Sequence, residues 1–356
     1  MMYTHPAVPI SILDKCALDI ISAMPLAVIN EYRNNIVYIT GSSGFIGSWL
    51  SHIFSVMHRI YDINLKVLKI DYGIRANDTI NCNINDIVEL NKIFARTRAL
   101  TNGKKVRIFN CAGIANPASY MRDPVGTLDV SYVGTLNILK SAMDLVDECE
   151  SISVMLFSSS EIYGNPDTVP TPESYVGRIP TDGNRSCYDV GKQVLETLGN
   201  IHTDNLPLKI IRPFNFYGPL MVDTRIIPEM IKKYISGEEL YVFGDGDQTR
   251  SFCYATDAMK YLLLLSSNLI PTGTYNVGNP SEEISMKELA EKINDVDTQK
   301  VNIKIGGYPD NYPSDEPRRR CPDMTKTNSA LESIGASVKY TTIKEGILET
   351  YKYNKK

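Results

Sequence analysis

Two residues four positions apart, Tyr188 and Lys192, carry the chemistry that this chain can do. They lie in the run Arg185-Ser-Cys-Tyr-Asp-Val-Gly-Lys192, whose spacing predicts a helix over Tyr188 to Asp204. On a helix, i and i+4 share one face. An ammonium beside a phenol favours the phenolate and lowers its pKa. Such a phenol can take the proton of a substrate hydroxyl while a hydride leaves the same carbon. Upstream, Phe157-Ser-Ser-Ser-Glu-Ile-Tyr-Gly164 follows an apolar strand. A Ser hydroxyl there, Ser159 or Ser160, can share the substrate hydroxyl with Tyr188. Glu161 reads as an acid/base, as a group that positions water, or as a solvated turn residue.

A hydride needs an acceptor, and Thr40-Gly-Ser-Ser-Gly-Phe-Ile-Gly47 offers a place for one. Gly41, Gly44 and Gly47 permit a tight turn, a close approach to a pyrophosphate and close helix–strand packing. With Ser43, Phe45 and Ile46 they open a helix whose N-terminus faces the phosphates. The next strand ends at Asp71, whose carboxylate can accept from an adenosine ribose and repel a 2′-phosphate, so NAD is expected over NADP. Arg75 pulls the other way. Asn83 and Ile84, in Asn83-Ile-Asn-Asp86, suit the edge of an adenine. Ala112 and Gly113 end the third strand, where small residues let a cofactor lie close.

Later loops supply cations. Arg250 follows the turn Gly244-Asp-Gly-Asp, and Arg320 ends three consecutive arginines after Asp315-Glu-Pro. Arginine forks suit diphosphates and carboxylates. Asn215, in Arg212-Pro-Phe-Asn-Phe-Tyr-Gly-Pro219, offers a donor and an acceptor. Together these loops read as a clamp for a nucleotide diphosphate.

The elements that must hold these residues alternate. Strands are expected at 36–40, 65–70, 106–110, 152–157 and 208–211, and helices at 45–58, 84–97, 124–146 and 188–204. That order predicts a Rossmann-type α/β fold, a doubly wound parallel sheet, over residues 35–212. Residues 213–356 read as a smaller C-terminal α/β lobe for substrate, with some segments returning to the first domain. Residues 1–34 form an extension with helical spacing from Ser11 to Met24, ended by Pro25. It reads as a helix docked on the body, or as a regulatory or oligomer contact.

A net charge of −4 without a basic block argues against a nucleic-acid partner. Four scattered His suggest no metal, and no apolar stretch is long enough to span a bilayer. Seven Cys without a Cys-x-x-Cys pair, and no signal peptide, point to the cytoplasm.

In combination and order, these motifs resemble the extended short-chain dehydrogenase/reductase family, in its nucleotide-sugar branch, from about residue 35 to 350. Within it the chain looks most like UDP-glucuronate decarboxylases, through Asn116-Pro-Ala-Ser-Tyr120, Gly134-Thr-Leu-Asn137, Glu161, Cys187 to Lys192, Gln248-Thr-Arg250 and Arg320. The resemblance implies that Ser159 and Tyr188 contact the sugar C4 hydroxyl, with Tyr188 as base. It implies that Lys192 binds the nicotinamide ribose and tunes Tyr188. Asn215, Arg250 and Arg320 would meet the diphosphate or the sugar, Tyr120 and Ser160 would line its site, and Glu161 and Arg320 would lie near a substrate carboxylate. The chain departs from the pattern at Ser131, Ser159, Val176 and Pro180 to Gly183. The implied reaction is a cycle at bound NAD: oxidation at C4, loss of CO2 from the β-keto acid, and return of the hydride. A 4,6-dehydratase, a 4-epimerase or a 4-keto reductase would use the same site, and a nucleotide-sugar sensor would bind without turnover. A homodimer through the long helices is also implied.

Overall fold

The computed structural model describes residues 11–73, 77–183, 185–222, 225–308 and 317–355. Arg75 and Asp315 lie outside them. Seven parallel strands form one sheet, in the spatial order Gly273–Val277, Leu208–Pro213, Ser151–Phe157, Lys105–Asn110, Asn35–Thr40, Lys66–Asp71 and Thr79–Asn81. The chain starts at Asn35–Thr40, builds two strands on one side, and then crosses back to Lys105–Asn110 on the other. The crevice where this order reverses is where open α/β sheets bind ligands. All six residues of Asn35–Thr40 are buried, which is why the strand reads as an apolar run without alternation.

Both faces of the sheet are covered. One core holds Trp49, Ile53 and Phe54 from helix Phe45–Tyr61 and most of helix Ala255–Leu265. The other packs Ile93 and Phe94, Ile138 and Leu139, and Leu195 from three further helices against the opposite face. A third cluster, around Ile231, Leu240, Leu289 and Ile347, belongs to the C-terminal part of the chain.

The expected N-terminal helix is Ile12–Ser22, capped by the Ser11 side chain, and a second short helix, Leu26–Glu31, follows Pro25. Ala17, Ile20 and Ile21 join the first core. Arg107, buried in the middle of a strand, is satisfied from this segment: it pairs with Glu31, donates to the Ser266 carbonyl and lies 4.8 Å over the Tyr32 ring.

All five expected strands are present. The chain adds Thr79–Asn81 and Gly273–Val277 at the two edges. The helix expected over 124–146 is interrupted: Pro124–Asp129 and Thr135–Met143 are joined by a π-helical turn, Val130–Gly134. The helix expected at 84–97 runs instead from Ile87 to Thr101, because the Asp86 carboxylate caps the backbone N–H groups of Val88 and Glu89. No helix among the described residues is long and apolar enough to cross a membrane.

Candidate active site

A cleft of about 340 Å³ opens at the sheet crevice, lined by Gly41, Gly44, Asp71, Asn83, Ile84, Ala112 and Gly113. Sequence reasoning had singled out all seven. The glycines are dictated by contact. A Cβ on Gly47 would lie 2.3 Å from the Gly41 carbonyl oxygen, and one on Gly41 would lie 2.7 Å from the Ala112 nitrogen. Gly41 also has a φ of 60°. Among the described residues no side chain caps the start of helix Phe45–Tyr61, which begins at the cleft residue Gly44, as an anion site would require. Phe45 and Ile46 pack against the core beneath. The Ser43 and Tyr72 backbone N–H groups, each at 2.7 Å, fix the Asp71 carboxylate at the end of its strand. Thr40 ties the crevice strands together: it donates to Asn110 at 2.6 Å and accepts from the Ala112 N–H at 3.2 Å.

Other wall residues were not anticipated. Tyr72, Cys82, Cys111, Asp123, Gly126 and Val130 also line the cleft. Asn137 holds its far wall, donating to the carbonyls of Ile84 and Asn85 at 2.9 and 3.1 Å. The motif containing Asn137 was visible in the sequence; this job was not.

Beyond the cleft lies the reactive cluster. Helix Ser186–His202 presents Tyr188 and Lys192 on one buried face. Strand Ser151–Phe157 delivers Ser159, and a 3-10 turn over Ser160–Tyr163 delivers Ser160 and Glu161. Ser159 stands beside the Tyr188 phenol and favours its charged form. Tyr120 stacks on Tyr188, with ring centroids 5.3 Å apart. The Lys192 ammonium donates to the Phe157 carbonyl at 2.6 Å and lies 5.6 Å from the Tyr188 ring centroid. Burial moves both groups away from charge. It lowers the Lys192 ammonium to about 8 and raises the Tyr188 phenol above its ordinary value, against the opposing pull of the nearby Ser159 hydroxyl and the Arg225 charge. The spacing of Tyr188 and Lys192 alone suggests a lowered phenol. Desolvation outweighs that here because the whole helix face is dry.

Glu161 is not a solvated turn residue. Arg185 and Arg320 both pair with it, through its Oε2 atom. Burial would raise this carboxyl, but the charges of Arg320, Arg185 and Arg250 overcome it and hold the group below its usual range. Arg250 and Arg320 arrive on neighbouring parallel strands, Thr249–Ser251 and Arg319–Arg320. Arg185 precedes helix Ser186–His202, a place where a cation opposes the helix dipole. That broken local rule was the signal available for Arg185, and sequence reasoning passed over it. Asn215 stands apart from this group. Its side chain donates to the Ser251 carbonyl at 3.1 Å, its own carbonyl accepts from the Cys253 N–H, and its φ is 41°. In this structure it joins strands rather than facing the cluster.

Residues 37–278 match the NAD dependent epimerase/dehydratase family. The chain belongs to that family. It is 40% identical to UDP-glucuronic acid decarboxylase 3 of Arabidopsis thaliana over 230 residues, covering 63% of this chain and 64% of the relative. It is 34% identical to UDP-glucuronic acid decarboxylase 6 of the same plant over 321 residues, 86% of each chain. The alignment with the first of these thus spans a little under two thirds of the relative's length. An epimerase structure from Methanothermobacter thermautotrophicus superposes with a TM-score of 0.75 at 19% identity, covering 92% of this chain and 94% of its own. The Rossmann-type α/β expectation and the resemblance to the nucleotide-sugar branch of the family both hold.

Proposed function

We propose that this member of the family is an NAD-dependent enzyme that oxidises a nucleotide-diphosphate sugar at C4 and decarboxylates it, with UDP-glucuronate as substrate. The observation that carries the reading is the buried set of Arg185, Arg250 and Arg320 around Glu161, next to Ser159 and Tyr188. Guanidinium groups gathered at one buried place suit an anionic group on the substrate. A 4-epimerase has no use for such a cluster. A 4,6-dehydratase normally places an acid where Ser160 stands.

The cleft suits NAD. Its glycines clear a path for a pyrophosphate, and the Asp71 carboxylate is fixed at the ribose end. When bound, NAD supplies the hydride acceptor. The protein does the rest. Tyr188 accepts the C4 hydroxyl proton as the phenolate, once its own proton has left, and Ser159 beside it orients that hydroxyl. Lys192, anchored on the Phe157 carbonyl, serves the ribose beside Gly113. A Cβ added at Gly113 would sit in ordinary contact with the Lys192 ammonium, at 3.5 Å, which puts that ammonium at the cleft wall. Arg320 and Arg250 orient the substrate carboxylate or diphosphate, and Glu161 manages the proton at C5. Tyr120 and Ser160 complete the sugar side.

A homodimer through the helices at 124–143 and 186–202 fits the exposed Val125, Tyr132 and Ile201 on those segments. Seven free cysteines fit a reducing compartment, the cytoplasm. The test is incubation with UDP-glucuronate, with and without added NAD, following CO2 and the nucleotide product by mass spectrometry. CO2 with a UDP-pentose supports the reading. A protein that holds NAD yet leaves UDP-glucuronate unchanged overturns the substrate and the reaction.

A further inference from the structure

We infer that Tyr72 caps the adenosine end of the cleft and retains the cofactor there by stacking on its adenine. The inference rests on NAD as the occupant of the cleft and not on the identity of the sugar.

Tyr72 lines the cleft, yet it is 68% exposed, so most of its ring stands at the rim rather than in the core. A scattered exposed aromatic is ordinary on a protein surface. This one is held in place on both sides. Its backbone N–H donates to Asp71 Oδ1 at 2.7 Å, and the Ser43 N–H donates to Oδ2 of the same carboxylate. Tyr72 is therefore tied to the group that meets the adenosine ribose. Beyond it the chain turns back at Gly73, whose φ is 75°, and the Gly73 N–H donates to the Asn81 side chain at 2.9 Å. Asn81 pairs with Asp71 in the sheet, on the edge strand Thr79–Asn81. The backbone thus enters and leaves Tyr72 through fixed contacts, which lowers the entropy cost of ordering the ring against a ligand. Ile84 and Val130 add apolar surface to the same cleft. Ile84 is buried against Gly134, where a Cβ would lie 2.6 Å from the Ile84 Cδ1 atom, so that surface is set as well. An adenine whose ribose is held at Asp71 lies within reach of the adjoining side chain, and two π systems favour an offset stack. In a reaction that returns NAD to its starting state, release of the cofactor is not part of the cycle, so retention costs no turnover.

The test reads binding without turnover. ADP-ribose and NAD are titrated by calorimetry into protein stripped of cofactor, and release of bound NAD is followed by a chase with excess ADP-ribose. Tyr72→Ala is expected to weaken both about five- to a hundredfold, the range of base–aromatic stacking, and to speed release by a like factor. Tyr72→Phe keeps the ring and stays within about twofold of wild type. Tyr72→Leu is apolar without a π face and is as weak as Tyr72→Ala. Melting without ligand should match wild type in all three, because the side chain is mostly exposed; should Tyr72→Ala melt early, the contrast of Phe with Leu still decides. Unchanged affinity in Tyr72→Ala overturns the inference. So does a Tyr72→Phe as weak as Tyr72→Ala, which would assign the hydroxyl instead, or a Tyr72→Leu as tight as wild type, which would assign mere cover. A wild-type protein that binds neither ADP-ribose nor NAD overturns the reading of the cleft itself, and this inference with it.

Discussion

Arg250 and Arg320 face one another across two parallel strands in direct register, and both side chains are buried. Because side chains alternate along a strand, Arg319 points the other way. It is exposed and holds Glu283 in a two-bond fork at 3.0 and 2.7 Å. Arg318, also exposed, pairs with Asp245. Strand geometry thus turns Arg319 away from Arg320, while Arg318, which precedes the strand, braces the surface through Asp245. Arg319→Ala should cost less than about 1 kcal/mol, as exposed ion pairs do, and leave CO2 release near wild type. Arg320→Ala should abolish that release. Steady-state kinetics and chemical denaturation on the two variants check this. Equal losses would mean that the register does not select.

Tyr188→Phe keeps the stack on Tyr120 and removes only the hydroxyl beside Ser159. Turnover should fall by about 10²- to 10⁴-fold, the usual contribution of a general base. Calorimetric affinity for UDP should stay within about threefold, since a ring without its hydroxyl fills the same space. Unchanged turnover would remove Tyr188 from the chemistry.

The ion pairs of Glu161 make part of the stability depend on pH. Its carboxyl titrates below the usual range in the folded chain, so the folded state holds its proton less tightly than the unfolded state does. That contribution is complete above the ordinary carboxylate pKa and is lost as pH falls through the lower folded value. Glu161→Gln lacks it throughout. Wild type should therefore exceed the variant by about 3 kcal/mol near pH 7, the order of a broken buried pair, and the gap should narrow below about pH 4, the ordinary carboxylate range. Urea titrations at a series of pH values read the gap. A gap constant down to acid pH would assign it to packing.

Gly47→Ala drives a methyl into the Gly41 carbonyl at 2.3 Å, between backbone atoms that cannot step aside. The loop must open, and with it the phosphate path. NAD affinity, measured by quenching of Trp49 or by calorimetry, should fall at least tenfold, about the loss of one good hydrogen-bonded contact to a charged group. Retained affinity would mean that the loop is more pliable than its packing indicates.

The sheet was legible because central strands such as Asn35–Thr40 are buried on both faces, so that Ile36 to Ile39 appears as an unbroken apolar run. Gly273–Val277 escaped because it lies among turn residues, and its partner, Leu208–Pro213, is about sixty residues away in sequence. The π-turn at Val130–Gly134 escaped for another reason. One extra residue in a helix hardly alters an apolar pattern, yet it rotates everything after it. There Ser131 back-bonds to the Thr127 carbonyl at 2.9 Å, and Gly134 must stay small beside Ile84. Site residues with a local motif, such as Gly41 or Tyr188, were readable. Arg185 and Asn137 were not, since each acts on a backbone or carboxylate from a distant part of the chain. Asn215 shows the converse: a motif residue with suitable chemistry whose side chain is already engaged with Ser251.

The contacts of the N-terminal helices set the timing of assembly. Tyr32 meets Ser266 across 234 residues of sequence, and Glu31 meets Ser267 across 236. During synthesis the apolar face of Ile12–Ser22 leaves the ribosome long before its partner helix Ala255–Leu265 exists. At ordinary translation speeds the delay is roughly ten to fifty seconds. For that interval helix Phe45–Tyr61, another packing partner of Ile12–Ser22, is already made, but the apolar surface that Ala255–Leu265 covers stays open to whatever holdase meets it first.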